Sequence, residues 1–155
     1  TKPFHSSTMI RKYKTLFLYR WLLALLCCLV IFIQSSHASA IKEPSIPHVD
    51  KLLHFLTYAL LGILFLRAFS TLPLKSDRSH LAATWAMVLS AIYGVTDEIH
   101  QYYVPSRSAE ISDILADASG SICGVFFYQL FMGRYGHYLP RIYKKISYLI
   151  TTRHS

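Results

Sequence analysis

The chain has 155 residues, of which 53% are hydrophobic and only 15% charged, with a net charge of +8. Soluble domains average roughly 45–50% apolar and about 25% charged residues, so this shortage of charge, with apolar runs near the ~20 residues that cross a bilayer, excludes an ordinary soluble fold. The basic residues cluster in the connections between apolar runs. That suits anionic headgroups and argues against nucleic acid as a partner.

The first run, about residues 16–36, follows a basic segment with Arg11, Lys12, Lys14 and Arg20. It predicts a membrane span. Its basic start, the apolar stretch 21–33 and the small residues Ala38, Ser39 and Ala40 also fit a cleavable signal peptide, and the later spans keep their orientation under either reading. A connection with Pro44 and Pro47 leads to the second run, 52–72. Pro73, Lys75, Asp77 and Arg78 separate that run from the third, 81–103. A short turn over 104–108, with Pro105 and Arg107, leads to the fourth, 111–132. Cys27, Cys28 and Cys123 lie within apolar runs without CxxC spacing, which indicates neither a disulfide framework nor a thiolate metal site. Beyond the fourth run, Leu139, Ile142, Tyr143, Ile146, Leu149 and Ile150 recur at helical spacing among Arg141, Lys144 and Lys145. This pattern over 139–150 fits a helix lying on the membrane surface.

Lys and Arg accumulate on the cytoplasmic side of membrane proteins. With the N-terminus inside, only Lys42, Lys51 and Arg107 of the 16 Lys and Arg fall on the outer side. The expectation is therefore an all-α polytopic bundle of four transmembrane helices with both termini cytoplasmic, in one membrane domain spanning residues 1–155.

Each later run is interrupted by polar residues at one end. The uncharged stretches 55–66, 81–96 and 118–133 cover only about 18–24 Å at ~1.5 Å per residue, less than a ~30 Å hydrocarbon core. Asp50, Lys51 and His54, then Asp97, Glu98 and Gln101, then Asp113 and Asp117 fill the remainder, all toward the outer side. At ~100° per residue, Asp50, Lys51, His54 and Tyr58 share one arc of their helix. Asp113 and Asp117 likewise share a stripe with Gly120 and Gly124, a small-residue pattern that seats helix against helix. Intramembrane charges cost about 2.5–3.5 kcal/mol each on insertion scales and face a partner or a cavity. The spacing therefore predicts one polar site near the outer surface.

Several chemistries use such residues. His54 and a carboxylate provide a general base and acid, and Arg107 offers a fork for phosphate or carboxylate. His54, with or without His100, and Asp97, Glu98, Asp113 and Asp117 are ligand types for a divalent cation, but no HExxH or comparable spacing supports one, so no metal or cofactor is expected. A proton-coupled carrier needs ionisable groups through the inner halves of the spans, where there is little besides Arg67. In a scaffold, the charged cluster would only pair with itself and fix helix register.

The run Asp50-Lys51-Leu52-Leu53-His54-Phe55 with Tyr58, the run Asp97-Glu98-Ile99-His100-Gln101, and Pro105-Ser106-Arg107-Ser108 leading to Asp113, Asp117 and Gly120 resemble the VanZ-like family over roughly residues 49–124. The resemblance implies a small multi-span protein of the bacterial cytoplasmic (inner) membrane, in a family named for a member associated with resistance to the glycopeptide teicoplanin. It also implies site roles for Asp50, Lys51, His54, Tyr58, Asp97, Glu98, Gln101, Arg107, Asp113 and Asp117. Two positions depart from the family pattern: Asp117, where Asn is frequent, and Ser106, where Gly is common.

The function expected is an outward-facing pocket for an anionic cell-envelope component, a lipid or lipid-linked intermediate, contributing to glycopeptide or envelope-stress tolerance. Arg107 and Lys51 would meet the anionic group, assisted by Asp50, Tyr58, Gln101 and Asp117 as binding residues. Asp97, Glu98 and Asp113 would orient the cations, and His54 would handle protons. The alternatives are an enzyme using His54, Asp97, Glu98 and Asp113 for acid–base work on a lipid-linked substrate, and a scaffold.

Overall fold

The computed structural model describes residues 4–37, 49–72, 79–105 and 107–135. Four α-helices make up the described chain: α1 (Phe4–Ser36), α2 (Val49–Phe69), α3 (Ser79–Tyr102) and α4 (Ile111–Tyr135). The predicted surface helix over 139–150, the prolines Pro44, Pro47 and Pro73, and Ser106 lie outside the described residues. The chain divides into two compact units, residues 1–125 and 126–155. The functional groups discussed below all belong to the first.

Three helical segments, Arg11–Ser36, Val49–Phe69 and Ile111–Tyr135, are long and apolar enough to cross a membrane. In α3, Asp97, Glu98, His100 and Gln101 dilute the apolar residues at the C-terminal end. The first three helices start earlier than the apolar runs suggest, because a helix does not end where apolar residues end, while α4 starts at Ile111 as expected. In α2 the first turn takes in Asp50 and Lys51, and a carboxylate there is favoured by the helix dipole.

Contacts among residues 1–125 define the directions of the helices. Arg20 Nη1 of α1 donates to the carbonyl of Arg67 near the end of α2, and Trp21 meets Phe69 edge-on at 5.3 Å. At their other ends Ser35 of α1 and His54 of α2 line one cavity, so these two helices are antiparallel. Tyr93 OH donates to Cys28 O at 2.6 Å, and Ser36 Oγ lies 3.0 Å from His100 Nε2, so α1 and α3 run in the same direction. Tyr58 meets Tyr93 while His54 faces Glu98, which makes α2 and α3 antiparallel. Along α2 and α4 the pairs Lys51 with Asp113, Phe55 with Gly120 and Ala59 with Gly124 advance together. Those two helices are therefore parallel, and the connectivity is up-down-up-down.

The interior combines large side chains of α2, where Leu61, Phe65 and Leu66 are buried, with small-residue faces on α3 and α4. On α3, Ala82, Ala83, Ala86, Ser90 and Gly94 are buried; on α4, Gly120, Ser121 and Gly124 are. Ser121 Oγ lies 2.8 Å from both Ser90 Oγ and Asp117 O, giving the buried hydroxyls partners across the α3–α4 contact. Glycines bring α2 and α4 so close that a Cβ on Gly124 would stand 2.7 Å from Ala59 Cα. Many other large apolar side chains point outward: Leu22, Leu25, Leu29, Leu52, Leu56, Leu60 and Ile122 among them are exposed. In lipid, burial of Leu has no special advantage, and close backbone approach holds helices together.

Candidate functional site

The packing gathers the polar residues at one end of the bundle in two linked clusters. The first centres on Lys51. Its Nζ lies 2.7 Å from Asp50 Oδ2, 2.8 Å from Glu110 Oε2 and 2.8 Å from Asp113 Oδ1. Asp113 is buried, whereas Asp50 and Glu110 are each 47% exposed at the side chain. One ammonium thus ties the start of α2 to the start of α4.

The second cluster is deeper. His54 Nδ1 lies 2.9 Å from Asp117 Oδ1 and 3.9 Å from Glu98 Oε1. Gln101 Nε2 donates to Asp97 Oδ2 at 3.1 Å and Glu98 Oε1 at 3.2 Å, while the backbone N–H of Glu110 donates to Glu98 Oε2 at 3.0 Å. Asp97, Glu98, Gln101 and Asp117 are all buried. Tyr58 is 1% exposed and lies parallel to His54. Its hydroxyl, near Asp97, does not meet hydrogen-bond geometry. Gly94 gives Asp117 its room, since a Cβ there would stand 2.7 Å from Asp117 Oδ2.

A cavity of about 60 Å³ opens beside this cluster, lined by Ile31 and Ser35 of α1, His54 and Tyr58 of α2, Asp97 and Gln101 of α3, and Arg107 among others. A water needs roughly 10–15 Å³ of such space. The cavity therefore admits a few waters or one small polar group, and a larger molecule would have to remain outside with only that group inserted.

All ten residues singled out in the sequence lie at this end of the bundle, but in different company. His54, Tyr58, Asp97, Glu98, Gln101 and Asp117 form the inner cluster, and Asp50, Lys51 and Asp113 the outer one. Arg107 lines the cavity, yet its Nε and Nη2 donate to the carbonyls of His37 and Gln34 at the end of α1. It closes that helix terminus, where carbonyls lack intrahelical donors. Lys51 is absorbed by its three carboxylates and does not line the cavity.

Two contributors were not singled out from the sequence: Glu110 links the two clusters through its side chain and its backbone, and Gly94 opens α3 for Asp117. Only Glu110 had a visible signal, an acidic residue just before a helix start. His100, weighed from the sequence as a cation ligand, meets Ser36 rather than the carboxylates.

Residues 2–132 match the family model described as VanZ/LLP1. The chain belongs to the VanZ/LLP1 family. No curated protein and no solved structure matches it. The matched span takes in every residue of both clusters of this VanZ/LLP1 member.

The outer cluster gives this VanZ/LLP1 protein an acid-sensitive element. Glu110 precedes the α4 span, and the Lys51 ammonium, followed by the Ser112 hydroxyl, holds its carboxyl below the usual glutamate range. A carboxyl with a lowered folded value contributes stability above the ordinary glutamate range and loses it as pH falls through that lowered value. Glu110→Gln is therefore expected to reduce thermal stability at neutral pH and to converge with the parent protein in strong acid. Melting curves across pH in detergent check this, and a deficit that stays constant with pH would contradict it.

Proposed function

We propose that the protein is a four-span component of the bacterial inner membrane, with both termini cytoplasmic and the polar end of the bundle facing outward. The skewed distribution of Lys and Arg supports that orientation. The exposed stripe Trp85, Val88, Ile92, Val95 and Ile99 on α3 supports α3 as the fourth span, since it repeats at the helical spacing of a lipid-facing surface.

In this reading the chamber receives one polar group of a lipid-linked, anionic envelope component. The observation that carries it is the part-buried His54–Asp117 pair, 2.9 Å apart, beside a cavity that Arg107 also lines. A carboxylate bonded to one imidazole nitrogen fixes the ring and its tautomer, leaving Nε2 for the incoming group. His54 then gives or takes a proton, as a general acid or base does within hydrogen-bond reach. Arg107 contributes positive charge at the wall for the anionic portion, which the small cavity keeps outside. Lys51, neutralised by three carboxylates, has the structural role of setting α2 against α4. Tolerance of glycopeptides or envelope stress is the expected physiological consequence.

The test is mass spectrometry of envelope lipids retained by the protein, with drug or stress tolerance measured in the same cells. Wild-type protein should enrich an anionic lipid-linked species and confer tolerance, and His54→Ala and Arg107→Ala, at equal levels of inserted protein, should lose the tolerance. Unchanged lipid profile and unchanged tolerance in both variants would remove the proposal.

A further inference from the structure

The inner cluster has too many carboxylates for its cations. Asp97, Glu98 and Asp117 are buried together, and among the described residues His54 is the basic side chain that pairs with Glu98 and Asp117. Lys51 faces Asp50, Glu110 and Asp113, and Arg107 faces α1 carbonyls. One imidazolium cannot balance three buried carboxylates, and uncompensated charge in a low-dielectric interior is strongly disfavoured.

A second observation concerns Asp117 itself. It is 0% exposed, and while Oδ1 meets His54, Oδ2 has no hydrogen-bond partner among the described residues. Buried carboxylate oxygens are rarely left so. The oxygen occupies the hollow that Gly94 leaves in α3. Its side chain faces His54 and Glu98: one donor atom from each of the three residues lies within 4.8 Å of the others.

From this we infer that His54, Glu98 and Asp117 bind a divalent cation of the zinc or manganese type. Donors around such an ion stand about 2.0–2.2 Å from it, so neighbouring donors lie roughly 3–4 Å apart; the 2.9 Å and 3.9 Å separations from His54 Nδ1 fall close to that spacing. One imidazole with two carboxylates suits borderline and hard dications rather than thiophilic ones. The two positive charges balance Glu98 and Asp117, and the ion takes the place of the proton that His54 Nδ1 and Asp117 Oδ1 otherwise share. Gln101 and the Glu110 N–H hold the Glu98 carboxylate from outside, the arrangement by which outer partners orient metal ligands. A bound dication would leave Asp97 as the one carboxylate of the three without a balancing charge, which makes the chamber far less repellent to an anionic oxygen.

This goes beyond the proposed function and does not depend on it, because cation binding is measured with no envelope component present. Full-length, tag-free protein in detergent is stripped with a chelator and loaded separately with Zn²⁺ and Mn²⁺, and metal per chain is determined by elemental analysis. Close to one ion per chain is expected. Glu98→Gln and Asp117→Asn should bind at least about tenfold more weakly, whereas His100→Ala, whose ring meets Ser36, should bind like the parent. Spin-echo spectroscopy of the Mn²⁺-loaded parent should show coupling to an imidazole nitrogen, a readout independent of how well any variant folds. Negligible metal retention, absence of nitrogen coupling, or parental affinity in both carboxylate variants would each overturn the inference.

Discussion

Gly120→Ala is expected to destabilise the bundle by about 3 kcal/mol, the upper part of the usual range for forcing extra volume into a packed contact. A Cβ at this position would stand 2.9 Å from Phe55 C and closer still to the Phe55 carbonyl oxygen. The obstacle is backbone, so no side-chain rotation relieves it, and α2 and α4 must separate. That separation would also pull Lys51 from Asp113 and His54 from Asp117, so the loss spreads into the polar end. Gly62→Ala should cost less, because its added carbon meets Ser121 O at 3.0 Å and the remaining neighbours at 3.3 Å. Gly133→Ala provides the opposite case: among the described residues nothing lies within 4 Å of the added carbon, and the higher helix propensity of alanine favours the variant by up to about 1 kcal/mol. Reversible unfolding in mixed detergent would rank the three. If Gly120→Ala and Gly133→Ala proved equally stable, the close α2–α4 contact would be wrong.

Lys51→Met has the second large expected effect, a loss of about 3 kcal/mol. Removing one member of a buried ion pair typically costs roughly 3–5 kcal/mol, because the partner is left as an uncompensated charge. The lower figure applies because Asp50 and Glu110 are half exposed and solvent can take over part of their stabilisation, leaving Asp113 as the main orphan. The double variant Lys51→Met with Asp113→Asn should recover a substantial part of the loss, since it removes the stranded charge as well. Additive losses in that cycle would show that Lys51 and Asp113 do not interact in the folded protein.

Much of the architecture is written locally. Apolar runs bounded by prolines and basic residues give the helices, and the recurrence of Asp113, Asp117, Gly120 and Gly124 identifies the face of α4 that is buried. The common end of the polar residues follows from the same arithmetic, because interrupting polar groups occur on alternate ends of successive runs. Partner choice is not local. Lys51 and His54 share an arc of α2, yet one selects Asp113 and the other Asp117, a division set by the relative height of two helices packed side by side. Arg107 looked like an anion-binding fork from its place in a short turn. The end of α1, many residues away in sequence, supplies the carbonyls that engage it. Gly94 carries no signal of its own, since its importance lies in the volume of Asp117 opposite.

The parallel course of α2 and α4 has a mechanical corollary. Gly120 and Gly124 are notches that receive the backbone at Phe55 and Ala59, so the two rods mesh like a rack and its pinion. The next shift that restores the teeth is one of four residues, about 6 Å along the axis. That shift would carry Lys51 to the level of Asp117 and His54 toward Ser121, dismantling both ionic clusters at once. Piston-like sliding is therefore opposed by the notches and the ion pairs together, and tilting of the helices about the notched segment is the motion that leaves the notches seated.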